Sequence, residues 1–107
     1  MPGRLLFVLV LAFSAGACGE GSKKTGEADS DRGKQVYLAQ CTSCHNTDPA
    51  KAGPVGPPVS GSSRELLEAR LLRAGYPPGY APKRDTTVMP AQPQLAPYVN
   101  DLAAYLR

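Results

Sequence analysis

Cys41-Thr42-Ser43-Cys44-His45 is the stretch around which the rest of this chain is organised. Cys-x-x-Cys-His is the pattern by which proteins attach haem covalently and bind its iron. Two thiols on one helical turn can each add to one haem vinyl group, and the imidazole that follows can then lie under the iron. The motif therefore predicts a covalently bound haem c, one per chain, with Cys41 and Cys44 as attachment points and His45 as an iron ligand.

A bare Cys-x-x-Cys pair has two other common uses, as a redox dithiol and as half of a zinc site. Zinc would need a second Cys/His pair, yet Cys18 is the only other cysteine and His45 is the only histidine. Both alternatives are poorly supported, although a match of five residues can arise by chance and does not by itself eliminate them.

The N-terminus has the pattern of a signal peptide. The basic start Met1–Arg4 is followed by Leu5–Phe13, which has no polar side chain and is much shorter than the about 20 apolar residues of a spanning helix. Ala15-Gly16-Ala17 fits ordinary signal peptidase, but small residues before a lone cysteine also resemble the lipobox of bacterial lipoproteins, with Ala15 where Leu is usual. We favour lipidation of Cys18, because a free cysteine is a liability in an oxidising compartment.

Composition divides the chain into a signal peptide over residues 1–17, a flexible tether over 18–30 and one small domain over 31–107. The tether lacks large apolar residues, and the domain is too small to build more than a modest core without help. A buried haem would supply the missing apolar body. The formal net charge is only +3 and no basic run is present, which argues against nucleic acid as a partner.

Three helices are predicted in the domain. The first runs from an N-cap at Ser30 or Asp31 through Gln40, and Gly33 within it indicates that another helix crosses close to its backbone, because glycine costs about 1 kcal/mol relative to alanine there. The last helix runs from Pro97 to Arg107. We expect the first helix to bury Val36, Tyr37 and Gln40. We expect the last helix to bury Val99, Leu102, Tyr105 and Leu106.

The second helix is predicted to open at Ser62, which has capping-box spacing to Glu65. Gly75 is placed to end this helix. Its acidic residues lie near the N-terminus and its basic residues near the C-terminus, where each charge interacts favourably with the helix dipole. We interpret this helix as a packing wall whose inward residues are Leu67, Leu71 and Ala74, with Leu66 beside them.

Two segments rich in glycine and proline, 46–61 and 76–85, predict stiff loops. A stiff loop can hold a backbone carbonyl that accepts the free N–H of an iron-bound histidine. In the second loop Tyr76, Tyr80 and Arg84 are candidates to bind haem propionates, the alternative being tyrosines that lie on prolines and a cation in water. Met89 follows in a Pro-bounded loop and is predicted as the sixth iron ligand.

Taken together, these residues resemble the class I c-type cytochromes over nearly all of residues 31–107. The first-helix glycine and aromatic of that family fall on Gly33 and Tyr37, and its Gly-Pro-x-Leu-x-Gly loop is similar to Gly56-Pro57-Pro58-Val59-Ser60-Gly61. The resemblance implies a small all-α fold, with three main helices and Pro/Gly-rich loops around one haem. It also implies that the carbonyl of Pro57 accepts the hydrogen bond from His45.

An iron with both axial positions occupied by protein has no open coordination site, so we expect an electron carrier rather than an enzyme. The expected protein is exported to the periplasm, on the membrane if lipid-anchored, and exchanges electrons with periplasmic or membrane-bound redox proteins. Cations that could surround the haem edge are Lys34, Lys51, Lys83 and Arg84. The alternatives are a haem sensor or small catalyst with a labile Met89, and a haem subunit of a larger oxidoreductase.

Overall fold

The computed structural model describes residues 27–107, which form three α-helices, one 3₁₀-helix and no strand. In chain order these are α1 (Ser30–Gln40), α2 (Arg64–Arg73), the 3₁₀-helix (Pro93–Tyr98) and α3 (Val99–Leu106). The all-α prediction is confirmed. The predicted signal peptide, Cys18 and most of the tether lie outside the described residues, and none of the helices in 27–107 has the length and apolarity needed to cross a membrane.

Helix α1 is capped by Asp29, one residue before the predicted range. The Asp29 side chain accepts hydrogen bonds from the backbone N–H groups of Asp31 and Arg32, at 3.0 and 3.1 Å. The prediction of Ser30 or Asp31 as N-cap was wrong, because Asp29 has the extended backbone (φ −113°, ψ 103°) that turns a short side chain toward the first free N–H groups.

Helix α3 crosses α1 at Gly33. A Cβ atom at Gly33 would overlap the backbone carbonyl of Asp101 and lie 3.0 Å from Cβ of Tyr105. One turn further along α1, the rings of Tyr37 and Tyr105 pack with centroids 5.6 Å apart and planes tilted by 53°, a favourable arrangement for two aromatic rings. The close helix crossing expected from Gly33 is therefore present.

The core lies where α1, α2, the 3₁₀-helix and α3 meet. Two predicted inward residues are not part of it, since Gln40 and Ala74 are exposed. Gln40 instead lines the cavity described below, and Ala74 follows the end of α2. The buried apolar cluster consists of Tyr37, Leu71, Leu95, Val99, Leu102 and Leu106.

Both ends of α2 differ from the prediction. Ser63 is the N-cap, and its Oγ accepts from Leu66 N at 3.1 Å. The predicted Ser62–Glu65 capping box does not form, because Ser63 occupies the N-cap position, and the Ser62 hydroxyl donates to the carbonyl of Val59 instead. At the other end Ala74, rather than Gly75, adopts the left-handed conformation (φ 53°, ψ 30°) that terminates the helix.

The segment predicted as one helix from Pro97 is divided in two. Pro97 lies inside the 3₁₀-helix, and α3 begins at Val99. Proline has no N–H to donate to a helical carbonyl, which favours a short 3₁₀ stretch before regular α-helix begins. The 3₁₀-helix buries Leu95, and just before it Gln92 N donates to Leu71 O at 2.6 Å, which ties this part of the chain to α2.

A buried carboxylate joins α3 to the start of α1. Asp101 is 2 % exposed. Its Oδ2 accepts from Arg32 Nε at 2.7 Å, and its Oδ1 accepts from the backbone N–H of Asp29 at 2.8 Å. The Arg32 hydrogen bond is the main reason that the pKa of Asp101 lies below its ordinary value, with the Asp29 N–H acting in the same direction and burial opposing both.

Candidate haem-binding site

The Cys-x-x-Cys-His motif forms a helical turn directly after α1. The N–H of Cys41 donates to Tyr37 O, and the N–H of His45 donates to Cys41 O, both at 2.9 Å. Both bonds have the i to i−4 spacing of an α-helix, although α1 itself ends at Gln40 with Cys41 as its C-cap. Cys41 and Cys44 are both free thiols, and burial raises the pKa of Cys41 to about 11.

The imidazole of His45 is held by the loop that follows it. His45 Nδ1 lies 3.0 Å from the carbonyl oxygen of Pro57, the contact that the family resemblance implies. A carbonyl can only accept a hydrogen bond, so Nδ1 carries the proton and Nε2 keeps its lone pair. This is the tautomer that a histidine needs in order to bind a metal through Nε2.

The backbone of the same loop packs directly on the motif. The N–H of Gly56 donates to Cys44 O at 2.8 Å, and the N–H of Val55 donates to the same oxygen at 3.2 Å. A Cβ atom at Gly56 would overlap the imidazole of His45, and one at Gly53 would overlap the Cys44 carbonyl. The two glycines therefore leave the space in which the histidine ring and the motif backbone fit.

A buried tyrosine connects the motif to the core. Tyr37, which is 1 % exposed, donates its hydroxyl hydrogen to the carbonyl of Asn46, the residue after His45. Burial is the main cause that raises the pKa of Tyr37 to about 12. The neutral phenol thus connects the residue after the motif to the interface between α1 and α3.

A cavity of about 430 Å³ lies between the motif, the loop at 55–59, α2 and the segment 76–92. This volume falls in the range of about 300–1,000 Å³ that is usual for small-molecule and cofactor sites. Lys83 also lines the cavity, whereas Lys34 and Lys51 do not. The predicted site residues that line it together are Cys41, Cys44, His45, Pro57, Tyr76, Tyr80, Arg84 and Met89.

The two tyrosines predicted as propionate ligands stack on each other. The rings of Tyr76 and Tyr80 are 5.4 Å apart at 9°, and the guanidinium of Arg70 lies 4.4 Å from the centroid of Tyr76. The sequence analysis did not assign Arg70 to the site. Arg70 lies one turn after Leu66 on α2, and both residues line the cavity. This spacing was the signal in the sequence that could have assigned Arg70 to the site.

Two cations of the segment 76–92 donate hydrogen bonds to backbone carbonyls of the loop at 55–59. Arg84 Nη1 donates to Val55 O at 2.9 Å, and Lys83 Nζ donates to Pro58 O at 2.8 Å. Met89 is half-buried and packs against the core cluster.

The residues around the cavity fit a covalently attached haem. Two free thiols and an imidazole with an available Nε2 lie along one wall, glycine leaves room for that imidazole, and much of the remaining lining is aliphatic or proline. The zinc alternative gains no support, because residues 27–107 contain no group of three or more His, Cys, Asp or Glu that could hold a metal ion.

The comparison with protein families agrees with this geometry. The model of the family described as Cytochrome c matches residues 30–107, from the first residue of α1 onward. No individual curated protein matches closely enough to count as a relative. A cytochrome c domain carries covalently bound c-type haem with its iron, and Cys41 and Cys44 are the cysteine pair present for it. The chain belongs to the cytochrome c family.

Proposed function

We propose that this protein is a one-electron carrier, with haem attached through Cys41 and Cys44 and iron bound by His45 and Met89. The family match supports haem-based electron transfer in general. When bound, the haem supplies an Fe(III)/Fe(II) couple that takes up or releases one electron. The observation that carries the proposal is that one cavity is lined by both thiols, the only histidine and the only methionine of residues 27–107.

His45 has the role of a neutral, oriented nitrogen ligand. Its Nδ1–H donates to Pro57 O, which keeps the ring from rotating and makes Nε2 a better electron donor. Gly56 packs against the ring and limits its sideways movement. The chain thereby holds this ligand in one orientation whatever the oxidation state.

Met89 would supply the second protein ligand to the iron. Its thioether is a soft donor that favours ferrous over ferric iron, so a His/Met pair gives a higher reduction potential than two nitrogen ligands. With His45 and Met89 both bound, the iron would have no open coordination site for a small substrate. This favours a carrier over an enzyme.

Apolar side chains have the role of excluding water from the site. The cavity is lined on one side by Leu66, Leu67 and Leu71 of α2 and on another by Val55 and Val59 of the loop. Because few water dipoles are close enough to reorient when the charge changes by one, the energetic cost of electron transfer falls.

We further propose that the protein works outside the cytoplasm, anchored through a lipid on Cys18. Cytochrome c domains are usually exported, and the small residues before Cys18 support lipidation. The proposed partners are periplasmic or membrane-bound redox proteins rather than nucleic acid. If Cys18 is the anchor, Cys18→Ser moves the protein from the membrane fraction to the soluble fraction, while unchanged membrane association contradicts it.

The ligand set is tested by optical spectra of the oxidised and reduced protein, produced with haem-maturation machinery. We expect thioether-linked haem and the weak red band of methionine sulfur on ferric iron. Met89→Ala should abolish this band. Asp85→Asn, which changes an exposed residue of the same segment that does not line the cavity, should keep it. Attached haem with high-spin ferric iron and no red band in the wild-type protein would contradict Met89 ligation.

A second candidate function is a haem sensor or small catalyst in which Met89 is labile. It is favoured by one observation, namely that residues 85–91 make a single hydrogen bond within the described chain, from Val88 N to Thr86 Oγ1. Carbon monoxide binding to the ferrous protein, or azide binding to the ferric protein, at neutral pH would support this candidate. Isolation as a stable complex would instead identify a subunit of a larger oxidoreductase.

A further inference from the structure

We propose that Lys83 and Arg84 are positioning residues. They attach the segment that carries Met89 to the loop that orients His45, and so keep the haem cavity closed. This proposal rests on the proposed function, since it concerns the same two proposed iron ligands. Both cations lie on the segment that carries Met89, and both bind the loop that carries the hydrogen-bond acceptor of His45.

The contacts lie on both sides of the acceptor peptide. Arg84 donates to the carbonyl of Val55 at 2.9 Å, and Lys83 donates to the carbonyl of Pro58 at 2.8 Å. Between these two residues lies Pro57, whose carbonyl accepts from His45 Nδ1 at 3.0 Å. Two adjacent cations therefore hold the backbone two residues before and one residue after the group that orients the histidine.

The loop has carbonyls that its own backbone cannot satisfy. Pro54, Pro57 and Pro58 have no N–H, so this stretch has fewer donors than acceptors. Within residues 27–107 the carbonyls of Val55 and Pro58 receive no backbone hydrogen bond, and the two cations are their donors. Hydrogen bonds from a charged donor are stronger than neutral ones, so these contacts are suited to joining two loops.

Apart from the packing of Met89 against the core cluster, the Met89 segment has few contacts that attach it to the rest of the domain. Residues 85–91 make one hydrogen bond within the described chain, and it is internal to the segment. The next attachment to the rest of the domain is at Gln92, whose N–H donates to Leu71 O at 2.6 Å. Met89 is thus held between Lys83 and Arg84 on one side and Gln92 on the other.

Loss of the two cation contacts would lengthen the unattached stretch. The preceding backbone hydrogen bond to another element is from Gly75 N to Ala69 O of α2, so the stretch without a hydrogen bond to the rest of the domain would extend from 85–91 to 76–91. A longer free stretch costs more entropy to close, and the lost charged hydrogen bonds no longer offset that cost. The segment would open more often, which exposes the position that Met89 occupies to external ligands.

Binding of free imidazole to the ferric full-length holoprotein measures how often this position opens. We expect the double variant Lys83→Gln/Arg84→Gln to bind imidazole about tenfold more tightly, since affinity scales with the open population. The charge-conserving double variant Lys83→Arg/Arg84→Lys should restore most of the closure. Lys34→Gln/Lys51→Gln is the matched control, because these side chains make no hydrogen bond or ion pair within residues 27–107 and do not line the cavity.

Amide hydrogen exchange separates this proposal from the ligand assignment. Exchange in 85–92 should accelerate in the Gln/Gln variant while exchange in α1 stays unchanged, whether or not Met89 binds iron. Unchanged exchange in 85–92, or equal acceleration in α1, would overturn the positioning role, as would imidazole affinity within about twofold of wild type in a protein that shows the methionine band. Absence of that band from the wild-type protein overturns the ligand assignment instead.

Discussion

The backbone carbonyl of Asp101 on α3 lies directly against Gly33 on α1, so closely that a methyl group at position 33 would overlap it. The overlap is with backbone, which cannot move aside as a flexible side chain can. Alanine would add about 1 kcal/mol of helix propensity, but the forced separation of α1 and α3 should outweigh it.

Gly33→Ala should therefore lower the free energy of unfolding by about 1–3 kcal/mol, the usual cost of overpacking. Urea unfolding of the holoprotein measures this change. The control is Lys34→Ala, at the adjacent exposed position, which should change stability by less than about 0.5 kcal/mol. An increase in stability for Gly33→Ala would contradict the close crossing.

Gly56→Ala should disturb the haem site. A Cβ atom at this position would overlap the imidazole of His45, so the ring must turn away from Pro57 O or the loop must move. We expect a lower haem-to-protein ratio and a lower thermal midpoint. Gly75→Ala is the matched control, because its Cβ atom would lie 3.8 Å from the carbonyl oxygen of Ala69, an ordinary van der Waals contact. Equal behaviour of the two variants would argue against the packing of Gly56 on His45.

Tyr37→Phe should cost about 1 kcal/mol at neutral pH, because the carbonyl of Asn46 loses its donor. The pKa of Tyr37 is raised to about 12 in the folded protein, against about 10 for a free tyrosine. Its contribution is therefore complete below pH 10 and is lost as pH rises toward 12. The wild-type advantage over Tyr37→Phe should shrink in that window. Tyr105→Phe serves as control, since its hydroxyl makes no hydrogen bond within residues 27–107.

Asp101→Asn should weaken the connection between α3 and the start of α1. The hydrogen bond from Arg32 lowers the pKa of Asp101, so its contribution is present above the unfolded value of about 3.9 and is lost as pH falls below it. Wild-type stability should drop steeply below pH 4, and the variant should show a shallower slope. Asp85→Asn, at an exposed position, should keep the wild-type slope; identical slopes for all three proteins would refute the role of Asp101.

Ala74→Gly should stabilise the protein by about 1 kcal/mol, because a left-handed residue with a Cβ is strained by about 1–2 kcal/mol. Ala74 has φ 53° at the end of α2. The same substitution at Ala39, an exposed position inside α1, should destabilise by about 1 kcal/mol, since glycine is a poor helix former. Urea unfolding measures the change in the free energy of unfolding for both variants. A change of the same sign in both would contradict the strain at Ala74.

The features that could be predicted from the sequence are those set by neighbouring residues or by a rare residue type. The Cys41–His45 motif is contiguous, so its chemistry does not depend on distant contacts. Gly33 is an unusual residue inside a helix, and close packing is the common physical reason for it. The positions of α1 and α2 also followed from local pattern. Their N-caps lie one residue from the predicted ones, because Asp29 and Ser30, and likewise Ser62 and Ser63, are adjacent and equally capable acceptors.

The contacts that could not be predicted join residues far apart in the chain. Asp101 binds Arg32 across 69 positions, and no local rule selects this arginine from the 12 basic residues of the sequence. Lys83 and Arg84 were placed near the haem edge, but their carbonyl acceptors depend on the path of a proline loop more than 20 residues earlier. Such pairings become visible only once the loops are folded.

The pairing of α1 with α3 also has a consequence for the order of folding. The helix that leads into Cys41 and Cys44 buries Gly33 and Tyr37 against a helix that follows most of the domain in sequence. Contacts of such long range form late, after much loop entropy has been lost. Before then α1 is short and unsupported, and isolated helices of this length are marginal in water. The two thiols are therefore first available on a largely unfolded chain, and haem attached at that stage can act as the nucleus around which the remaining segments assemble.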